Sequence, residues 1–293
     1  MNNLIIGNGS ISEALENNMC SKGIFVEVIS FRTFFKNYYY KSFDFQRFDR
    51  IFFVGIDKSN LLKNLLNTFF LIKQLNKKSW KGCFYFFSTQ QAIKIFHDKD
   101  GKRVSSYKGY YGWIKFLQSS AIKYLSKFKF HIIHLPYVIG KNTNWQKYFQ
   151  NLAYKRILYL PEKGNSFVAI CNINSMTAYL ISNDLKKNNY FFYSEILSLK
   201  KCIRNFSGDK LPDIYNVKLS FKEKLIWIAK NSFFYIFMQM CRDLIKLNKT
   251  LIIEKLHMEH NENDEYVSSL EEKYYFSLNC YSDKITNMCK IKV

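Results

Sequence analysis

Tyr111 and Lys115 stand four positions apart in Tyr111-Gly112-Trp113-Ile114-Lys115. On a helix, residues so spaced share a face, which brings the phenol beside the ammonium. A free phenol ionises near pH 10, and a neighbouring positive charge favours its phenolate. The pair predicts proton transfer to or from a substrate oxygen, with Lys115 lowering the pKa of Tyr111. Spacing alone is weak evidence in a chain with 21 Tyr and 37 Lys, and Tyr107 and Tyr110 compete within the same stretch. A second group adds weight. Ser88-Thr89 follows an apolar run, with Thr89 22 residues upstream of Tyr111. A hydroxyl at Thr89 can hold the same substrate oxygen and meet the tyrosine.

A different chemistry is written near the N-terminus. Leu4-Ile5-Ile6 runs into Gly7-Asn8-Gly9-Ser10-Ile11-Ser12, a G-x-G-x-x-G pattern with serine at the third position. The first glycine allows a tight turn, and the second lets backbone approach a pyrophosphate seated on a helix N-terminus. The third allows close helix–strand packing, for which serine is small enough. In a first strand–helix unit this predicts a dinucleotide site. An acid usually holds the ribose 2′-hydroxyl at the end of the second strand. That position corresponds to Ser30, followed by Phe31-Arg32. Serine with arginine suits a 2′-phosphate, so NADP(H) is preferred and NAD(H) is the alternative.

These residues need elements to hold them. Short apolar runs occur at Leu4–Ile6, Phe25–Ile29, Ile51–Val54, Phe84–Phe87 and Ile132–Leu135. Helical patterns lie near 11–20, 60–76 and 107–126, the second with Leu61, Leu65, Thr68, Phe69, Ile72 and Leu75 on one face. Alternation of this kind predicts an α/β fold, a doubly wound parallel sheet of Rossmann type. Ligands of such sheets bind beyond the carboxyl ends of the strands. Residues 1–140 form the expected NAD(P)-binding core. Residues 141–215 form a mixed substrate-binding region that completes it, with helices near 145–154, 174–184 and 198–206 and a strand near 167–171. Residues 216–293 are expected to be a helical C-terminal extension with a long helix over 222–247.

Taken together the motifs resemble the extended or atypical short-chain dehydrogenases/reductases, the NAD-dependent epimerase/dehydratase superfamily. The resemblance rests on Gly7/Gly9/Ser12, Ser88-Thr89 and Tyr111-Gly112-x-x-Lys115, and covers residues 1 to about 206. Asn64-Leu65-Leu66-Asn67-Thr68 is similar to the family's Asn-x-x-Gly-Thr. Leu135-Pro136-Tyr137-Val138-Ile139-Gly140 is similar to the segment beside the nicotinamide. Gly55 resembles a backbone contact near the adenosine and pyrophosphate, and Asn172-Ile173-Asn174-Ser175 a segment before a helix of the substrate region. The resemblance implies that Thr89, Tyr111 and Lys115 are catalytic. It implies cofactor contacts at Gly7, Asn8, Gly9, Ser10, Ile11, Ser30, Arg32, Gly55, Asn64, Ser88, Lys115, Pro136 and Val138. There are departures. His134 stands where the family often has arginine, Asn174-Ser175 replaces an acidic pair, and Gln90 replaces the acid that dehydratases use for water elimination. The pattern is closest in style to 4-keto reductases of nucleotide sugars. It implies hydride transfer at a sugar carbon, by reduction or epimerisation, with surface-polysaccharide synthesis as the setting. The alternative is a catalytically degenerate NADP(H)-binding protein, a sensor or scaffold.

Composition limits the other readings. The 293 residues carry 44 Lys+Arg against 23 Asp+Glu, a net charge of +21, with 48% hydrophobic and 18% aromatic residues. A disordered chain is excluded, because there is ample apolar material for a core. The charge alone would suit nucleic acid. Yet only 7 of the cations are Arg, while Asn is 27 and Ala 7, the mark of AT-rich coding. Nucleic-acid readers favour arginine forks, so no nucleic-acid partner is expected, although Lys36, Lys41, Arg47 and Arg50 alternate with aromatics. Seven scattered cysteines without a CxxC and no signal-like N-terminus fit a reduced, cytoplasmic setting. His257-Met258-Glu259-His260 lacks a third metal ligand and reads as a solvated helix end, so no metal is expected. Leu225–Leu247, aromatic and flanked by Lys222, Lys224, Lys230, Arg242 and Lys246, is expected to pack on the core or on a second copy in a homodimer. Peripheral contact with a membrane is the alternative for 222–247.

Overall fold

In the computed structural model, residues 1–36, 39–57, 59–93, 95–97, 103–105, 109–155, 157–161, 167–207, 212–217, 220–222, 232–259 and 287–290 are described. The first 140 residues supply strands β1 (Asn3–Ile6), β2 (Val26–Ile29), β3 (Arg50–Phe53), β4 (Cys83–Thr89), β5 (Ile95–His97), β6 (Arg103–Ser105), β7 (Lys129–Leu135) and β8 (Tyr137–Ile139). Between them lie helices α1 (Ser10–Cys20), α2 (Phe31–Phe35), α3 (Tyr39–Ser42), α4 (Leu61–Lys77) and α5 (Gly109–Leu125). Then follow α6 (Asn144–Ala153), β9 (Ile157–Pro161), β10 (Phe167–Asn172), α7 (Ile173–Ser182), β11 (Asn189–Tyr193), β12 (Glu195–Ser198), α8 (Leu199–Asn205) and β13 (Asp213–Val217). The long helix Phe233–Glu259 and β14 (Asn287–Lys290) complete the order.

The main sheet has seven strands in the order β14-β11-β7-β4-β3-β1-β2, and every pairing is parallel. Successive side chains point to opposite faces, and both faces are apolar. Leu4, Ile6, Ile51, Phe53, Phe84, Phe86 and Ile132 pack beneath Leu71, Ile72 and Leu75 of α4 and Ala121 and Ile122 of α5. Ile5, Phe52, Tyr85, Phe87 and Ile133 pack against Ala14 and Leu15 of α1 and Met176 and Leu180 of α7. The fold is thus a Rossmann-like doubly wound sheet.

The first three strands of the sheet run β2-β1-β3. The commonest dinucleotide-binding order has a further strand beyond β2. Here the link from β2 to β3 forms α2 and α3, and β2 stays at the edge. The reason lies in composition: Phe31, Phe34, Tyr40, Phe43, Phe45 and Phe48 are all buried and cap the core beneath α4. The order reverses between β1 and β3, which places the crevice of the fold at their carboxyl ends.

The departures from the sequence reading concern the chain after residue 140. Residues 189–193, for which no strand is expected, form β11 in the main sheet beside β7. The C-terminal extension is not wholly helical, because β14 pairs with β11 at the sheet edge. The described long helix runs from Phe233 to Glu259, beyond the expected end at 247, and Phe221 and Lys222 are helical as well. Residues 223–231, with Trp227 and Lys230, lie outside the described residues, as do Tyr38, Tyr107 and His260. A smaller sheet, β12-β10-β8, stands beside the core, and Phe149 of α6 and Cys202 and Ile203 of α8 pack on it with Val168 and Leu197. Cys20, Cys83, Cys171, Cys202 and Cys241 are free thiols.

Candidate cofactor and active site

The carboxyl ends of β1, β2 and β3 are stitched together by backbone. Gly7 N donates to Ile29 O at 2.8 Å, and Val54 N and Gly55 N donate to Ile6 O at 3.0 and 2.7 Å. Gly7 has φ +145°, and a Cβ there would lie 2.7 Å from Gly55 N. Only glycine fits both the backbone angle and the space. The first glycine of the motif therefore closes the crevice floor. Gly9 behaves differently. Its φ is −90°, and a Cβ there would meet nothing within 4 Å. The space above Gly9 is what a pyrophosphate would need. No side chain caps α1, whose first turn opens directly from Gly9. Ser12, in place of the third glycine, is buried against Gly7, and its hydroxyl has no partner among the described residues. Asn8 and Gly9 are exposed and Ser10 and Ile11 half-buried, so the loop faces the open end of the sheet.

Ser30 follows β2 and caps α2, its hydroxyl accepting from Thr33 N at 3.1 Å and lying 2.7 Å from Thr33 Oγ1. Arg32 is exposed one position into that short helix. Gly55 approaches so closely that a Cβ would sit 2.6 Å from Phe31 Cβ. Asn64 has another task than the sequence suggests. Its Oδ1 accepts from Asp57 N at 2.7 Å, and its Nδ2 donates to Asp57 O and Asn60 O at 2.7 and 3.0 Å. Its amide is thus committed to the loop that follows Gly55, and it shapes the crevice wall from behind. Pro136 is buried, and Val138 is buried in the core on β8, paired in register with Cys171. Asn172 is the N-cap of α7, its Oδ1 accepting from Asn174 N and Ser175 N at 3.0 and 3.1 Å.

The second half of the site lies at the end of β4. Thr89 is its last residue, and Thr89 Oγ1 accepts from Gln91 N at 3.4 Å, opening a single turn over Gln90–Ala92. The start of α5 is pressed onto that turn. A Cβ at Gly112 would come within 2.8 Å of Gln91 O and 2.9 Å of Gln91 Cβ. The glycine after Tyr111 is what lets the helix sit so close to the turn that follows Thr89. One turn further, buried Lys115 donates from Nζ to Phe87 O at 2.9 Å and lies 4.7 Å from the Phe86 ring centroid. Ser119 Oγ donates to Lys115 O at 2.8 Å and lies 3.2 Å from Ser88 Oγ. Ser88 therefore faces α5 rather than the crevice. Behind this row, Gln118 Nε2 donates to Thr68 Oγ1 at 2.7 Å and to Asn64 O at 3.1 Å, which ties α5 to α4.

The electrostatics differ from the expected lowering of the tyrosine by the lysine. Burial raises Tyr111 to about 12 and lowers Lys115 to about 7. Among the described residues no hydrogen bond joins Tyr111 to Thr89 or Lys115. Lys115 turns toward the carbonyl of Phe87, and apolar surroundings hold down its charge. Tyr111 is consequently a phenol, not a phenolate, at neutral pH. His134 lies opposite Ser88 in register, and burial pushes it down to about 4, so it adds no charge where an arginine was the family's habit.

One participant has no motif. Asp243, on the long C-terminal helix, is buried. Its Oδ2 accepts from Leu61 N and Leu62 N at the start of α4, at 3.0 and 3.3 Å, and from Tyr110 Oη at 2.8 Å. Asn60 Nδ2 donates to its backbone carbonyl at 3.0 Å. This carboxylate joins three helices one residue away from Tyr111. Burial, followed by the hydrogen bond to Asp243, keeps Tyr110 protonated well above the usual phenol range. The only sequence signal is a lone acid within the apolar stretch 232–247. No group of metal-ligating side chains occurs among the described residues.

No protein-family model matches the sequence, and no curated protein matches it by sequence. Solved structures do resemble the fold. A UDP-glucose 4-epimerase from Thermotoga maritima with UDP-glucose superposes with a TM-score of 0.55 at 13% identity, over 76% of this chain and 88% of that one. A dTDP-4-dehydrorhamnose reductase from Clostridium acetobutylicum gives 0.56 at 12% identity, over 74% and 84%. RMD from Pseudomonas aeruginosa, complexed with NADPH, gives 0.57 at 9% identity, over 74% and 87%. The neighbours are thus NAD(P)-dependent epimerases, reductases and dehydratases of the short-chain dehydrogenase/reductase type. At these identities the likeness is one of fold.

Proposed function

We propose that this chain is an NAD(P)-dependent reductase or epimerase of nucleotide-linked sugars, of the short-chain dehydrogenase/reductase type. The observation that carries the reading is the packing of Gly112 on Gln91, which sets the helix turn bearing Tyr111 against the turn that follows Thr89. The glycine loop stands two strands away at the same end. The nucleotide-sugar neighbours support the substrate class. Gln90 in place of an acid argues against dehydration. Production of a surface polysaccharide is the setting we infer.

The crevice suits a dinucleotide on two counts, the open space over Gly9 and the unpartnered hydroxyl of Ser12. When bound there, a nicotinamide supplies or takes up the hydride. The chain does the rest. The Thr89 hydroxyl holds the substrate oxygen. Tyr111 keeps its proton at neutral pH, because burial raises it to about 12, and delivers that proton to the oxygen as the carbon is reduced. Ser30 and Arg32 accept a 2′-phosphate, which favours NADP(H) over NAD(H). Replacing Gly9 by Val fills the cradle without touching the core. Cofactor affinity is expected to fall at least about tenfold with little change in melting temperature. Fluorescence titration with NADPH and a thermal melt check both parts.

The decisive assay is oxidation of NADPH and NADH in the presence of a panel of nucleotide-linked 4-keto sugars. Turnover with at least one of them, faster with NADPH, is expected. Tight cofactor binding with no turnover across the panel would replace this reading by a sensor or scaffold. The observation favouring that second reading is that Lys115 donates to Phe87 O, with no hydrogen bond to Tyr111.

A further inference from the structure

The helix Phe233–Glu259 is fixed in rotation about its axis. Ile236, Met240 and Asp243 face inward: Ile236 packs with Leu62, Leu65, Tyr110 and Ile114, Met240 lies against the same cluster, and Asp243 holds α4. At 100° per residue, Phe234, Met238 and Ile245 fall on the opposite side. They are 69%, 47% and 59% exposed. Phe237 and Leu244 flank them on one side, also about half exposed, and Arg242 and Lys246 flank them on the other. Phe221 and Lys222, just upstream, are exposed as well.

An apolar stripe this long on an outward helix face calls for a partner. We infer that this face docks the protein on an anionic lipid surface, with the helix lying along the bilayer plane. Three arguments choose the occupant. First, the charge complements it. Among the described residues 220–222 and 232–247 the only acid is Asp243, whose carboxylate is turned into the protein, while Lys222, Arg242 and Lys246 are exposed. Second, a chain of net charge +21 is repelled by its own copy and attracted by negative headgroups. Third, five half-exposed apolar side chains offer a few hundred Å², short of the roughly 800 Å² per partner of a stable protein interface. No helix among the described residues is long and apolar enough to cross a membrane, so the mode is lying on the surface rather than spanning it. This inference does not depend on turnover.

The test is co-sedimentation of the full chain with vesicles of phosphatidylcholine alone and of phosphatidylcholine mixed with phosphatidylglycerol. Binding is expected only to the mixed vesicles, weakening as salt is raised. Phe234→Ser, Met238→Ser and Ile245→Ser combined should bind at least about tenfold more weakly. Its thermal melt should match that of the unmodified chain, since the three side chains leave the core untouched. Lys222→Glu with Lys246→Glu should weaken binding further at low salt than at high salt. Failure of the unmodified chain to sediment with the mixed vesicles overturns the inference without any variant. So does equal binding by the triple variant. A dimer in analytical ultracentrifugation that the triple variant converts to monomer, with no vesicle binding by either, would give the stripe to a second copy instead.

Discussion

Tyr111→Phe is expected to lower turnover by about 10²–10⁴-fold, the usual worth of a positioned proton donor, and to leave NADPH affinity nearly unchanged. The phenol oxygen is the one atom removed, and the ring and the packing of Gly112 on Gln91 are left in place. Measured kcat and cofactor titration separate the two effects, and a variant that kept most of its activity would strike Tyr111 from the site. Lys115→Met is the informative companion. Burial holds Lys115 at about 7, against an ordinary lysine value near 10.5. Between those pH values the unfolded chain carries a proton that the folded chain lacks, so stability rises with pH across that window. Below about pH 7 both states are protonated and the burial penalty is fully present, on the order of 5 kcal/mol. The methionine variant should therefore unfold at higher denaturant than the parent at pH 6. The advantage should fade as pH approaches 10.5. Parallel pH profiles for parent and variant would mean that Lys115 is not held as a suppressed cation.

What the sequence made legible follows from how the sheet is built. Strands β1, β3, β4 and β7 are buried on both faces, so each writes itself as an unbroken apolar run ending at Gly7, Gly55, Ser88-Thr89 or Pro136. Strand β11 is as apolar, Tyr190-Phe191-Phe192-Tyr193, but no glycine or proline marks its end and β12 begins two residues after it. Without such a flanking signal, periodicity cannot separate a short buried strand from a helix segment. The missing strand beyond β2 is legible only afterwards, in the density of phenylalanines between 31 and 48. Candidate site positions are legible along the chain as motifs, but side-chain partners are not. Motif position assigned Asn64 and Ser88 to a cofactor, whereas their hydrogen bonds run to the 57–60 loop and to Ser119. A helix face says which residues are neighbours, not which lone pair takes the proton. The tyrosine–lysine pair shows the same limit. Spacing predicted a lowered phenol, and burial, which spacing does not report, raises it to about 12.

Asp243→Ala is expected to be the most damaging change outside the crevice, because it removes one acceptor from three donors. Leu61 N, Leu62 N and Tyr110 Oη all point at Asp243 Oδ2. Buried donors left without a partner cost about 1–3 kcal/mol each, and water entry into the gap recovers part of that. A net loss of about 3–5 kcal/mol follows, about 10 °C in melting temperature for a chain of this size. Asp243→Asn keeps an acceptor oxygen in place and loses the charge at the helix N-terminus, so its loss should be smaller, about 1–2 kcal/mol. Tyr110→Phe removes a single donor and leaves the carboxylate its two backbone partners, so it should cost least. That ordering distinguishes a shared acceptor from ordinary packing, in which loss of the tyrosine hydroxyl and loss of the carboxylate would weigh alike. The position of the cluster adds a functional consequence. Tyr110 and Tyr111 are neighbours, so freeing the first turn of α5 from the C-terminal helix loosens the tyrosine that must meet the substrate oxygen. Asp243→Ala assayed well below its melting temperature should therefore lose turnover while its NADPH affinity, set by the loop at Gly7–Gly9, stays close to that of the parent. If cofactor affinity and turnover fell together, the helix would be acting on the whole fold rather than on the placement of Tyr111.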